Sequence, residues 1–234
     1  MRTRSLMCLL SVVLASPVAA AGVDLAWDAC LGDPGALSLK TFACDDNAGQ
    51  DALLISFVPA VSMPSVTTLE IAIDFRTRSG VPLPAWWEVG AFSGCRRGQM
   101  GVNPSLQISG PSCAPWITDS QPPRFVISRF DIRVPTPDVA HLLVSAHPAS
   151  GGVLAGQHYL GCQIVFGHAG AVGTFTCAGC REPVEFTLNA VRLATVTTEM
   201  LLTQPQTSNH VQWQLDPPVA TRASTWGAVK ALYR

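Results

Sequence analysis

The sequence has few charged side chains and almost no lysine. Only 13% of its 234 residues are Asp, Glu, Lys or Arg, whereas about a quarter is usual. The only lysines are Lys40 and Lys230, and the formal net charge is −1 at pH 7. A protein that binds nucleic acid needs a basic face to neutralise phosphates. The composition therefore excludes nucleic acid as a partner.

Long apolar runs are also missing from the sequence, except for one at the N-terminus. This run, SLMCLLSVVLASPVAAA, follows a short basic start and ends with Ala19 and Ala21 in a small-x-small pattern. A transmembrane anchor is the alternative, but the run is shorter than the roughly 20 residues that span a bilayer, and Pro17 interrupts it. We predict a signal peptide at residues 1–21, no membrane span after its cleavage, and a secreted or cell-envelope location.

Catalytic signatures are absent from the sequence. It contains no G-x-S-x-G nucleophile elbow, no H-E-x-x-H and no phosphate-binding glycine loop. The five histidines have no spacing typical of metal ligands. The sequence therefore predicts no catalytic residue and no cofactor, and favours a protein that is not an enzyme.

Alternating hydrophobicity predicts β-strands rather than helices. LEIAIDFR places Leu69, Ile71, Ile73 and Phe75 on one face, and VQWQLD does the same with Val211, Trp213 and Leu215. The alternation changes phase near Ser128 and again around residues 189–190, which predicts a β-bulge at each point. Further strands are predicted at residues 52–58, 87–92, 140–146 and 159–166.

Nineteen glycines and eighteen prolines separate these strands with turn sequences. This pattern predicts an all-β antiparallel β-sandwich at residues 22–216, either immunoglobulin-like or a jelly roll. Residues 217–234 are predicted to be a linker and a short helical tail. Its aromatic side chains, Trp226 and Tyr233, are candidate anchors for export or surface-assembly machinery.

Seven cysteines remain once Cys8 leaves with the signal peptide, and an exported protein normally oxidises its cysteines. Two pairs bracket short turn segments, and we predict that each pair forms a local disulfide: Cys30 with Cys44, and Cys95 with Cys113. The remaining three are Cys162, Cys177 and Cys180, of which at most two can bond to each other, so the third is free or bonded to another chain.

The segment CAGC, which contains Cys177 and Cys180, is open to three interpretations. We favour a disulfide from one of the two to Cys162. A zinc site with Cys162 and His168 as the other ligands is the first alternative. A redox pair is the second, but it requires a helix N-terminus that lowers the thiol pKa, and a strand is predicted next.

Two tryptophans and two arginines are candidate ligand-binding residues. Trp86 and Trp87 are adjacent, so in a strand one faces the core and the other is exposed, where it could contact a glycan or a protein. Arg96 and Arg97 could meet an acidic ligand, although a solvated loop explains them equally well.

The segment CDDNAGQD groups oxygen-bearing side chains in one loop. Asp45, Asn47 and Asp51 could bind calcium, but the spacing departs from the EF-hand pattern. We favour a polar turn between strands.

Several segments together resemble a group of uncharacterised secreted bacterial proteins. They are Trp27-Asp28-x-Cys30, KTFACDDN (40–47), LPAWWEVG (83–90), CAGCREPVEFTLNAV (177–191) and a terminal TWGxxKxLYR (225–234). The resemblance implies secretion and a short tail found at the end of many exported proteins. It also implies a further cysteine near Glu185, whose absence here leaves an odd thiol.

These observations favour a non-catalytic exported module with a structural or binding role in the cell envelope or the extracellular space. The alternative is a secreted carbohydrate-binding domain or hydrolase that uses an exposed tryptophan. A protein or a glycan is the expected ligand.

Overall fold

The computed structural model describes residues 20–90, 94–103, 112–117, 124–147 and 151–215, and within these ranges the chain forms strands, turns and one 3-10 turn at Ala85–Trp87. The predicted signal peptide, apart from its last two residues, and the predicted tail with Trp226 and Tyr233 lie outside them. The strands are β1 (Gly22–Trp27), β2 (Leu39–Lys40), β3 (Gln50–Val58), β4 (Thr68–Thr77), β5 (Met100–Asn103), β6 (Ala114–Pro115), β7 (Arg124–Ile132), β8 (Val139–His147), β9 (Tyr159–Gly167), β10 (Val184–Ala194), β11 (Glu199–Leu202) and β12 (His210–Trp213).

Two sheets pack face to face, which confirms the predicted all-β sandwich. We call them sheet A and sheet B. Sheet A has the order β1-β3-β9-β5, with β6 beside β9, and sheet B has the order β2-β12-β10-β4-β8-β7, with β11 beside β10. All neighbours are antiparallel except the two short pairs β6/β9 and β2/β12.

The central strand of sheet B follows the predicted alternation. Every second side chain of β4, from Leu69 to Phe75, is fully buried between the sheets. Both predicted bulges are confirmed, because the register shifts between Ile127 and Arg129 in β7 and between Leu188 and Ala190 in β10. Each bulge returns the apolar side chains of its strand to the core face.

Strand β1 was not predicted, although Val23, Leu25 and Trp27 alternate with Asp24 and Ala26, because the pattern is short and Asp24 is its only polar residue. One edge of β1 pairs with β3. The other edge bonds to residues 204–208, with the Val23 N–H donating to the Gln204 carbonyl (3.0 Å) and the Leu25 N–H to the Ser208 carbonyl (2.8 Å). Both edges of β1 are therefore hydrogen-bonded, which closes this side of the sandwich.

Aromatic side chains from both sheets form the centre of the core. Phe186 of β10 lies 4.6 Å from Phe75 of β4 and 5.2 Å from both Trp27 of β1 and Trp87, measured between ring centroids. Tilted and edge-on pairs of this kind contribute about 0.5–1.5 kcal/mol each beyond the area that they bury. This cluster fixes the distance between the sheets at the end where the candidate site lies.

Two details of the predicted strands were wrong. A strand was predicted at residues 87–92, but the described part of this segment, residues 87–90, forms no strand, since the chain makes the 3-10 turn at Ala85–Trp87. Strand β12 ends at Trp213, because Gln214 has a φ of +62° and turns the chain. Leu215, expected in the core, is consequently 62% exposed.

None of the described residues belongs to a helix that is long and apolar enough to cross a membrane.

Candidate functional site

The three disulfides join segments that are far apart in sequence, so the predicted local pairs were wrong. They connect Cys30 with Cys113, Cys44 with Cys180, and Cys95 with Cys177, over separations of 83, 136 and 82 residues. The fold brings segments that are distant in sequence into contact, and none of the three disulfides joins cysteines that are neighbours in sequence.

The two cysteines of CAGC therefore bond to different loops and are neither a redox pair nor zinc ligands. Cys162, expected to bond to one of them, faces the core of β9 as a free thiol and is fully buried. Burial raises the pKa of this thiol. Among the described residues, no group of three or more His, Cys, Asp or Glu side chains is placed to hold a metal ion.

The candidate calcium ligands instead hold loops in place. The Asn47 Oδ1 accepts the N–H groups of residues 170–172 at 2.9–3.1 Å, and its Nδ2 donates to the Val172 carbonyl. Asp51 is 5% exposed and lies 2.8 Å from His168 Nε2 and 2.9 Å from Lys40 Nζ. Asp45 is exposed. The oxygens of Asn47 and Asp51 are thus used within the protein, as a polar turn requires.

The expectation that one of the two adjacent tryptophans is exposed was wrong. Trp86 and Trp87 are 0% and 1% exposed. Successive residues of a 3-10 turn are about 120° apart, instead of the 180° of a strand, so both rings can turn inward. Trp87 joins the aromatic core, while Trp86 lies beneath Arg96.

Arg96 organises the loops around the Cys95–Cys177 disulfide. Its guanidinium carbon lies 3.4 Å from the centroid of the Trp86 ring, and the residue is 3% exposed. Its three side-chain nitrogens donate to the backbone carbonyls of Trp86, Gly167 and Ala169. Burial lowers the pKa of Arg96 to about 9. The guanidinium is therefore charged at pH 7.

A surface cleft of about 480 Å³ opens above this buried arginine. We call it the arginine cleft. Its side chains are mainly Arg96, Arg97, Gln99 and Phe175, and the backbone of Gly94 completes one wall. Phe175 is 88% exposed. Clefts of this size accept small ligands, and the arginines make this one suitable for an anion.

Sequence reasoning singled out the arginines but missed Phe175, since a lone aromatic residue in a Gly- and Thr-rich loop carries no periodic signal.

A serine, a histidine and a carboxylate meet on the outer face of sheet A, but they do not form a catalytic triad. Ser56 Oγ lies 2.9 Å from His158 Nε2, and Asp24 Oδ2 lies 3.7 Å from the same nitrogen. In a triad, serine and carboxylate contact opposite ring nitrogens, and the serine is open to substrate. Here Ser56 is 2% exposed.

This second cluster anchors the segment after β11. Asp24 Oδ1 accepts the N–H groups of Thr207 (2.8 Å) and Ser208 (2.9 Å). Burial raises the pKa of Asp24 and lowers that of His158, while the nearby carboxylates of Asp24 and Asp33 partly offset the effect on His158. Burial therefore favours the neutral form of the histidine. No spacing or motif in the sequence indicates this contact.

A scan of the chain against protein-family models finds no match, and a search of curated proteins finds no significant similarity. Function is therefore inferred from the residues and their geometry.

Proposed function

We propose that the protein is a non-catalytic exported module that serves a structural or binding role in the cell envelope or the extracellular space. The observation that carries this proposal is the set of three disulfides between distant loops. Disulfides of this kind persist in oxidising compartments and are rare in reducing ones. The N-terminal apolar run supplies the route to such a compartment.

A binding or structural role is supported by the way in which the described histidines are used. His141 Nδ1 lies 2.6 Å from Asp74 Oδ1 on the outer face of sheet B, and His168 is held by Asp51 and by the Ala48 carbonyl. These histidines contact neighbouring strands and loops, and none of the described histidines lines the arginine cleft. The cleft offers cations and an aromatic ring, which suit recognition.

A secreted glycan-binding module is the second candidate. It is favoured by the exposed ring of Phe175, which takes the role first assigned to Trp86 or Trp87. Aromatic rings at such positions pack well against the apolar faces of sugar rings. Immobilised glycans that retain the wild-type protein, but not its Phe175→Ala variant, would favour this candidate.

The tail is proposed to be captured by export or surface-assembly machinery through Trp226 and Tyr233. Aromatic residues dominate small interfaces, and so short a segment is marginal as an isolated helix. Deleting residues 224–234 is expected to leave the melting temperature nearly unchanged while the protein loses its final location. Normal location together with a large loss of stability would show that the tail belongs to the fold.

The most direct experiment follows the full-length and tail-deleted proteins through cell fractionation. Both are expected to leave the cytoplasm with residues 1–21 removed, and only the full-length protein is expected to reach its final site. Retention of the full-length chain in the cytoplasm, with reduced cysteines, would contradict the proposal.

A further inference from the structure

The arginine cleft carries positive charge that the described residues do not balance. No carboxylate among them forms an ion pair with Arg96 or Arg97. Glu88, whose carboxylate accepts the Cys95 N–H at 3.1 Å, pairs with Arg133 at 2.7 Å. Its charge is therefore already matched. A cleft with two unmatched cations attracts an anion.

The two arginines contribute differently to this attraction. The nitrogens of Arg96 are engaged with backbone carbonyls, and its side chain is buried. It supplies a fixed positive field from beneath the cleft. Arg97 is exposed at the cleft wall and forms no hydrogen bond or ion pair with another described side chain. Its planar fork of N–H groups is free to bind both oxygens of one carboxylate.

Phe175 supplies an apolar surface beside these charges. Phe175 is 88% exposed, although Cys177, two residues later, is bonded to Cys95. The Thr176 hydroxyl also donates to the Gly173 carbonyl at 2.6 Å, which closes the turn around the phenylalanine. A large aromatic ring held in water by a braced loop is typical of a contact surface for a ligand.

We propose that the arginine cleft binds a carboxylate carried on a ring, with the carboxylate on Arg97 and the ring against Phe175. A single accessible guanidinium matches the single charge of a carboxylate better than the double charge of a phosphate dianion. Two sources offer this chemistry, namely aromatic acids and acidic sugars. The inference rests on the binding role proposed above and names the chemistry of its ligand.

The test is isothermal titration calorimetry of the mature, oxidised protein with four probes. Benzoate and glucuronate carry a carboxylate on a ring, acetate has no ring, and benzyl alcohol has no charge. We expect at least one of the ring carboxylates to bind with a Kd of about 1 mM or lower, and acetate and benzyl alcohol to bind at least about tenfold more weakly. Binding of benzoate alone identifies an aromatic acid, and binding of glucuronate alone an acidic sugar.

Two variants locate the site. Arg97→Gln and Phe175→Ala are each expected to weaken binding at least about fivefold, since each removes one of the two contacts. Arg181→Gln is the matched control. It removes the same charge from the loop that carries Phe175, but Arg181 donates to the Ala43 carbonyl and does not line the cleft. The Arg181→Gln variant is expected to bind the ring carboxylates with the same affinity as the wild type.

Failure of both ring carboxylates to bind, or equal binding by Arg97→Gln, Phe175→Ala and the wild type, would overturn the inference. A protein that is exported with its disulfides intact yet binds neither probe refutes the ligand and leaves the exported module standing. A protein that stays reduced in the cytoplasm refutes the module itself.

Discussion

Replacing Cys44 and Cys180 by alanine opens the disulfide that ties the loop after β2 to the loop before β10. With the other two disulfides intact, the shortest covalent path between these positions passes through both of them and leaves a loop of about 35 residues. The chain-entropy relation gives about 4 kcal/mol of unfolding free energy for a loop of that length. For a domain of this size, the loss corresponds to a melting temperature lowered by roughly 8–16 °C.

The assay is urea unfolding of the mature protein followed by tryptophan fluorescence, with thiols counted in the denatured state. The double variant is expected to unfold at lower urea, with a steeper dependence on urea because its denatured chain exposes more surface. It is expected to show one reactive thiol, Cys162. Had Cys30 been bonded to Cys44, the substitution would free Cys30 and add a thiol. Unchanged stability of the double variant, or a second reactive thiol, would refute the reasoning. The control is Cys162→Ala, which keeps all three disulfides and is expected to show no reactive thiol.

Three further predictions concern single positions. Asn47→Ala removes the acceptor for three loop N–H groups and is expected to lower the unfolding free energy by about 2 kcal/mol. Asn47→Asp keeps that acceptor, so equal urea midpoints for the two variants would contradict this prediction. Burial holds the pKa of His158 below its ordinary value of 6.5, so the unfolded chain binds more protons below that pH and the wild type loses stability as the pH falls from 6.5. His158→Gln lacks this contribution, so the stability of the wild type relative to this variant should stay constant above pH 7 and fall on acidification below 6.5. Gly179→Ala is expected to lower the unfolding free energy by more than about 2 kcal/mol, because φ is +94° and the added Cβ meets the Pro84 ring. Gly173→Ala, at φ +97° with open space around it, is expected to lower it by about 1 kcal/mol. Thermal melts that rank these two glycine variants in the opposite order would contradict the packing argument.

The strands could be predicted from the sequence wherever one face is buried and the other solvated. The alternation in β4 predicted which of its side chains face the core, and the phase changes in β7 and β10 predicted the positions of their bulges. Strand β1 was missed because its alternation is short and includes one polar residue, Asp24, whose side chain is itself buried by its bonds to Thr207 and Ser208.

The candidate site depended on contacts that sequence spacing does not reveal. Cys44 and Cys180 meet because β2 and β10 both lie in sheet B, with β12 between them. Trp86 and Trp87 both face inward because the chain forms a 3-10 turn at this point, where the sequence had predicted a strand. The composition and the apolar run predicted a disulfide-bonded exported protein, but only the sheet topology determines which cysteines pair.

Peptide mapping of the exported protein without reduction tests this account most directly. We expect three cross-linked peptide pairs, joining Cys30 to Cys113, Cys44 to Cys180 and Cys95 to Cys177, together with an alkylated Cys162 and a chain that starts near Gly22. A cross-link between Cys30 and Cys44, or a fully reduced chain that retains its first 21 residues, would contradict the exported, disulfide-braced sandwich.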